Sequence, residues 1–307
     1  MRVIVHGGAG GVPAEPGPRQ TVLDEAAETG AAATTPLDAV ETAVRVLEAS
    51  PRFNAGVGGA VQSDGVVRTD AGLMTSDREI GAACSMPGVE AAASVARVVH
   101  SETPHVFVSG EHAVDLADEF GVETGVELLT DETRERYEAE DPPQGGPREH
   151  LEWLRTRFGS GDDQAGRTDD DQPAGTGENG AGPDHDTVGA VASDGETVAA
   201  ATSTGGRSFA LAGRVGDVPQ VGSGFFCTEA GGASATGAGE DIARVTLSRH
   251  AVDLLAEGHD AEAAAERAIE HFDDRTGSGA GVIVCDHDGV GSAFNTAGMQ
   301  TSATQPD

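Results

Sequence analysis

Lysine is absent from this 307-residue chain, and all nineteen of its basic residues are arginine. Against them stand 52 aspartates and glutamates, for a formal net charge of -33. So few cations exclude electrostatic binding of a nucleic-acid backbone, which depends on cationic side chains displacing counterions. They exclude attraction to an anionic membrane surface for the same reason. Such a charge repels itself at low ionic strength, whereas molar salt shortens the Debye length to about 3 Å and screens it. The composition therefore predicts a halophilic protein from a salt-rich cytoplasm. Aromatic residues are scarce at 4%, with a single tryptophan and a single tyrosine, while glycine reaches 44 residues. The interior is expected to be built from small side chains.

Cysteine is also scarce. Cys84, Cys227 and Cys285 are odd in number and form no C-x-x-C pair, so neither a disulfide framework nor a zinc ribbon is indicated, and a reducing compartment fits. Met1 to Val5 lacks the apolar core of a signal peptide, and no run reaches the roughly 18 apolar residues of a membrane helix. The expectation is a soluble cytoplasmic protein.

What is present alternates between the two periodicities. Arg2 to Val5 reads as a buried strand entering a glycine turn, His6 to Gly11. Thr35 caps a helix that opens with Pro36 and Asp38, places Leu37, Val40, Val44 and Leu47 on one face, and stops at Ser50-Pro51. Further helices are expected over 89–99, 111–120, 241–257 and 261–272, and strands over 105–108, 281–285 and 290–294. From about 138 to 186 glycine, proline and acidic residues dominate around a short apolar island of Leu151, Trp153, Leu154 and Phe158, which predicts an acidic disordered linker. Immediately after it, 187–193 and 196–203 are small-residue strands joined by Asp194-Gly195, the signature of a hairpin with a type I′ turn.

Several familiar motifs fail on context. Gly277 to Gly281 precedes a strand and so is no phosphate loop. There is no G-x-S-x-G elbow, and the Asp-His-Asp triplets at 184–186 and 286–288 lack further ligands at metal spacing. A threonine remains, Thr187, at the junction of the acidic linker and a buried-looking strand. Its hydroxyl is a weak nucleophile until a base is adjacent. A free α-amino group, with a pKa of about 7.7 to 8.0, supplies one if the threonine becomes N-terminal. The residues alone leave this open beside an ordinary first strand position.

Blocks stand in order across nearly the whole chain: His6 to Gly10, Phe53 to Gly58, Asp70-Ala71 with Met74, Thr187 to Ala192, Thr202 to Gly206, Gly213 to Asp217, and Thr236-Gly237 with Gly239-Glu240. Together they resemble the plant-type L-asparaginase and isoaspartyl peptidase family of N-terminal-nucleophile threonine hydrolases. The resemblance implies an α+β fold, a four-layer αββα sandwich. A fragment of residues 1–186 and one of residues 187–307 would form it as one domain. Self-cleavage would fall between Asp186 and Thr187. Thr187 would then be the nucleophile and Thr204 its hydrogen-bonded neighbour. Thr236 and Gly237 would stabilise the oxyanion and, with Arg214, Asp217 and Gly239, bind substrate, while Asn54 would orient groups at the nucleophile. The family also implies a structural sodium held by the backbone carbonyls of Leu47, Glu48, Ser50, Phe53, Ala55 and Val57, with no other cofactor, and a dimer of processed units, a heterotetramer. The implied reaction is hydrolysis of L-asparagine and β-aspartyl dipeptides through a β-aspartyl ester on Thr187. A glycosylasparaginase, a protein-cleaving threonine endopeptidase and an uncleaved binding homologue remain alternatives. The chain departs from the pattern at Asp186, where most relatives have glycine, and at Ala235, where many have cysteine.

Overall fold

The computed structural model describes residues 1–158 and 187–305. Seven strands form one sheet in the order β11-β1-β5-β6-β2-β3-β4. They are β1 (Arg2–Gly10), β2 (Arg68–Thr75), β3 (Ile80–Pro87), β4 (Phe107–Ser109), β5 (Val188–Ser193), β6 (Val198–Thr204) and β11 (Gly298–Thr304). A second sheet has the order β10-β9-β8-β7, from β7 (Phe225–Thr228), β8 (Gly231–Gly237), β9 (Ala280–Cys285) and β10 (Val290–Phe294).

Alternation along the strands sorts side chains onto the two faces of each sheet. On one face of the large sheet, Val188, Ala190, Ala199 and Ala201 pack with Leu23 of α1 (Pro16–Ala31), Val40 and Leu47 of α2 (Pro36–Glu48) and Val95 of α3 (Ala92–Glu102). On its other face Ile4, Met74, Val191 and Ala200 meet Phe225, Cys227 and Ile283 of the small sheet. The outer face of the small sheet, Ala233, Ala235, Val282 and Val284, is covered by helices of residues 239–276. Alanine recurs through all three cores, as the shortage of aromatics predicts.

Helix α2 forms as its sequence dictates: the Thr35 hydroxyl accepts from the Asp38 N–H, and Val40, Val44 and Leu47 are fully buried. Each such side chain contributes about 1.5–3 kcal/mol relative to exposure. The helix expected over 111–120 is α4 (Glu111–Glu119). The rest of the large sheet's N-terminal half, α1 and the pair β2–β3, carried no signal strong enough to be expected.

Four expectations need correction. First, β1 does not end in a glycine turn but continues to Gly10, with a bulge between His6 and Ala9 where Gly8 takes φ +107°. Second, the stretch from 138 onward is not featureless: α5 (Asp131–Ala139) runs into it, and α6 (Pro147–Phe158) occupies the apolar island, where Trp153 packs edge-on against Phe209. The remaining linker, 159–186, lies outside the described residues. Third, the hairpin turn has a positive φ only at Gly195, with the Asp194 carboxylate accepting the N–H groups of Glu196 and Thr197. The turn is therefore not type I′, which needs positive φ at both central residues, and Ser193 pairs with Val198 across a loop of 194–197. Fourth, the helix expected over 241–257 is broken into α7 (Gly239–Val245) and α8 (Leu247–Ala256) at Thr246, which is left-handed because the N–H groups of Ser248 and Arg249 bond to Ser223 and Gly222. It is followed by α9 (Ala261–Thr276). Among the described residues no helix is long and apolar enough to cross a membrane. The three cysteines are buried free thiols.

Candidate active site

Strands β5, β6 and β8 deliver hydroxyl side chains to the space between the sheets. Thr187 immediately precedes β5 and is 8% exposed. Its hydroxyl donates to the Thr204 hydroxyl at 3.3 Å. Thr204, the last residue of β6, donates in turn to the Asn54 carbonyl at 3.4 Å and accepts from the Gly206 N–H at 3.1 Å. The Asn54 side chain holds the neighbouring backbone. It accepts from the Ala60 N–H at 2.7 Å and donates to the Gly206 carbonyl at 2.6 Å. Its main chain, not its amide, touches Thr204.

Beneath this pair runs a buried polar network that the sequence reading missed. The Thr202 hydroxyl donates to the Gly224 carbonyl at 2.8 Å and lies 2.6 Å from the Ser234 hydroxyl, which lies 2.9 Å from His6 Nε2. Burial pushes His6 down to about 3, so it is neutral. A Cβ at Gly189 would fall 2.0 Å from Ser234 Oγ and 2.5 Å from His6 Nε2, so glycine is required where β5 crosses this network. The available signal was hydroxyl residues spaced by two on one strand face, Thr202 with Thr204 and Ser234 with Thr236.

Thr236 and Gly237 end β8. The Thr236 hydroxyl is buried and accepts from the Ala9 N–H at 3.3 Å, which ties the extended β1 to the site. Gly237 takes φ +133°.

A charged cluster stands beside these neutral groups. Arg214 donates from Nε and Nη2 to the two oxygens of Glu240, both at 2.8 Å, a bidentate pair that holds Glu240 down to about 2. Asp217 is buried; desolvation raises it to about 6, with Arg214 opposing, and its Oδ2 is buried and without a hydrogen-bond partner. Gly239 leaves this cluster open, since a Cβ there would lie 2.6 Å from Asp217 Oδ1 and 3.0 Å from Arg214 Nη2. Asp70 of β2, the cross-strand partner of Thr204, connects the two halves. Its Oδ1 accepts from the Ser85 N–H at 2.7 Å, and burial raises it to about 7, with the charge of Arg214 opposing. Glu240 and Asp70 stood in recognised blocks, but nothing in their spacing gave them a role.

The loop after α2 is closed by backbone hydrogen bonds and by glycines packed against carbonyl oxygens. Glu48 accepts from the Val57 N–H at 3.1 Å, and a Cβ on Gly56, which has φ +56°, would fall 2.3 Å from the Glu48 oxygen. The neighbouring Gly58 is 3.0 Å from the Pro51 oxygen and 3.3 Å from that of Phe53 by the same construction. Within this loop the Leu47 and Ser50 carbonyls also accept, from the N–H groups of Ser50 and Phe53 at 3.2 and 3.3 Å. The Glu48 carboxyl itself is buried and raised to about 8 by desolvation. Among the described residues no group of three or more His, Cys, Asp or Glu could hold a metal, and Asp286 instead accepts from the N–H groups of Asp288 and Gly289 in a turn. Asp186 and the triplet at 184–186 lie outside the described residues.

The whole chain, residues 1–307, matches the family model described as Asparaginase. It is similar to a plant-type L-asparaginase of Pyrococcus abyssi, at 38% identity over 97% of this chain and 94% of the relative. It is also similar to an isoaspartyl peptidase/L-asparaginase of Danio rerio, at 34% identity over 99% and 92%. A plant-type L-asparaginase of Pyrobaculum calidifontis is 37% identical over 99% and 97%. With the site's residues and these matches together, the chain belongs to the asparaginase family.

Proposed function

We propose that the chain is a threonine-dependent amidohydrolase that cuts itself before Thr187, then hydrolyses L-asparagine to L-aspartate and ammonia and cleaves β-aspartyl dipeptides. The observation that carries this reading is the Thr187 hydroxyl, donated to Thr204 at the head of β5 and buried between two sheets. Relatives bearing both activity names support the substrate class.

In the precursor, the Thr187 hydroxyl attacks the carbonyl of Asp186, the peptide C–N bond breaks as the ester forms and frees the protonated α-amine of Thr187, and water then hydrolyses the ester, leaving the Asp186 carboxylate and the Thr187 hydroxyl. In turnover that amine takes the hydroxyl proton while Oγ1 attacks the substrate's side-chain carbonyl. Thr236 and the Gly237 N–H face the resulting oxyanion, and ammonia or the β-linked amino acid departs with the proton. Water then hydrolyses the β-aspartyl ester and restores Thr187. Arg214 receives the substrate α-carboxylate on N–H groups other than the two given to Glu240, and Asp217, with an oxygen already unpartnered, receives the α-ammonium.

The three hydrophobic cores support a four-layer αββα sandwich in which fragments 1–186 and 187–307 stay together as one domain. We extend the proposal to a heterotetramer of two processed units in a salt-rich cytoplasm. We further propose a structural sodium on the backbone carbonyls of Leu47, Glu48, Ser50, Phe53, Ala55 and Val57, which would fix the loop carrying Asn54.

The test assays protein held in molar salt against asparagine, a β-aspartyl dipeptide and a glycosylated asparagine. Turnover of the first two is expected. Turnover of the third alone, or of none, overturns the assignment.

A further inference from the structure

Glu48, the last residue of α2, sends its side chain into the core behind the site rather than into it. Its Oε1 accepts from the Ser203 hydroxyl at 2.5 Å and from the Ala93 N–H at 2.9 Å. The residue is 1% exposed, and its Oε2 is buried with no hydrogen-bond partner. A carboxyl so buried is unfavourable by desolvation unless its acceptors are needed. Both donors have such a need. The N-cap of α3, Ala91, offers no side-chain acceptor, so the first-turn N–H of Ala93 depends on Glu48. Ser203 lies on the helix-facing side of β6, and its neighbour Thr204 faces Thr187 on the other.

The same residue also reaches Thr204 from the front. The Glu48 carbonyl closes the loop by accepting from the Val57 N–H, and within that loop the Asn54 carbonyl accepts from the Gly205 N–H at 2.8 Å and from the Thr204 hydroxyl. Thr204 is therefore held from two sides by groups anchored on one residue. We propose that Glu48 is a positioning residue for the nucleophile, acting through Ser203 to fix the end of β6 and with it the Thr187–Thr204 contact. This rests on Thr187 being the nucleophile, and the Glu48 carboxyl touches no reacting atom.

The experiment is a double-mutant cycle of Glu48→Ala and Ser203→Ala, read by kcat and KM for asparagine in molar salt, with thermal melting as the control for folding. Misplacement of a reacting group lowers rate more than binding. Each single variant is expected to lose about tenfold in kcat with KM within about twofold, and the double variant about tenfold rather than a hundredfold, because both act along one path. Glu48→Gln keeps an oxygen for both donors and is expected to stay within about threefold of the native kcat. If Glu48→Ala does not fold, Ser203→Ala and Glu48→Gln decide. Folded variants with native kcat, or losses that multiply in the double variant, overturn the proposal. A native protein that turns over neither substrate overturns it together with the assigned activity, and is distinguished by needing no variant.

Discussion

The two halves of the site are built from opposite materials. The described groups bonded around Thr187 are neutral: the hydroxyls of Thr204, Thr202 and Ser234, and an imidazole that burial keeps unprotonated. Around Arg214 nearly every side chain is charged or titratable, with Asp70, Asp217 and Glu240 sharing one guanidinium. The difference follows from what each half meets. An acyl transfer through a hydroxyl needs placement and an oxyanion site, and a fixed charge beside the nucleophile would disturb both. A zwitterionic amino-acid end is recognised by fixed charges, and these tolerate burial because they partly compensate one another.

Substitutions should separate the halves. Thr187→Ala removes the reacting atom, so turnover is expected to fall by about 10⁴-fold or more and self-cleavage to stop, with the melting temperature nearly unchanged. Steady-state assays beside melting curves check this. Arg214→Lys keeps the charge but loses the planar fork that engages Glu240 at two points, so kcat/KM is expected to fall about a hundredfold, mainly through KM. An unchanged KM would erase the proposed division of labour.

The smallest effect is a change of slope with pH. The freed α-amine must be neutral to act as base, so kcat/KM falls tenfold per unit below its pKa of about 7.7 to 8.0. Asp217 must be ionised to hold an ammonium, and burial has raised it to about 6. Protonation below that value removes the carboxylate, so the slope should steepen from one to two below about pH 6. Asp217→Asn should abolish the second step and leave the first.

The sequence named residues in both halves of this site but not the contacts that hold them. Thr187, Thr204, Thr236, Arg214 and Asp217 were legible because they stand in ordered blocks that resemble a known family, and the hairpin around Asp194-Gly195 declared itself by composition. Helix α2 was legible from its cap and its apolar face. What stayed hidden depends on pairings distant in sequence. Glu48 meets Ser203 across 155 positions and His6 meets Ser234 across 228, and neither spacing follows any local period. The pair β2–β3 was hidden by a bulge between Thr69 and Ala71 and by small residues that blur the two-residue alternation. In α6, polar composition masked a helix whose Trp153 is partnered by distant Phe209.

The central claim is that Thr187 becomes an N-terminus by the chain's own chemistry. Intact mass under denaturing conditions, on protein purified and held in molar salt, tests it most directly. Two species are expected, one ending at Asp186 and one beginning at Thr187, and a single uncut species for Thr187→Ala. A native chain that stays in one piece through long incubation, or is cut at another bond, would contradict it.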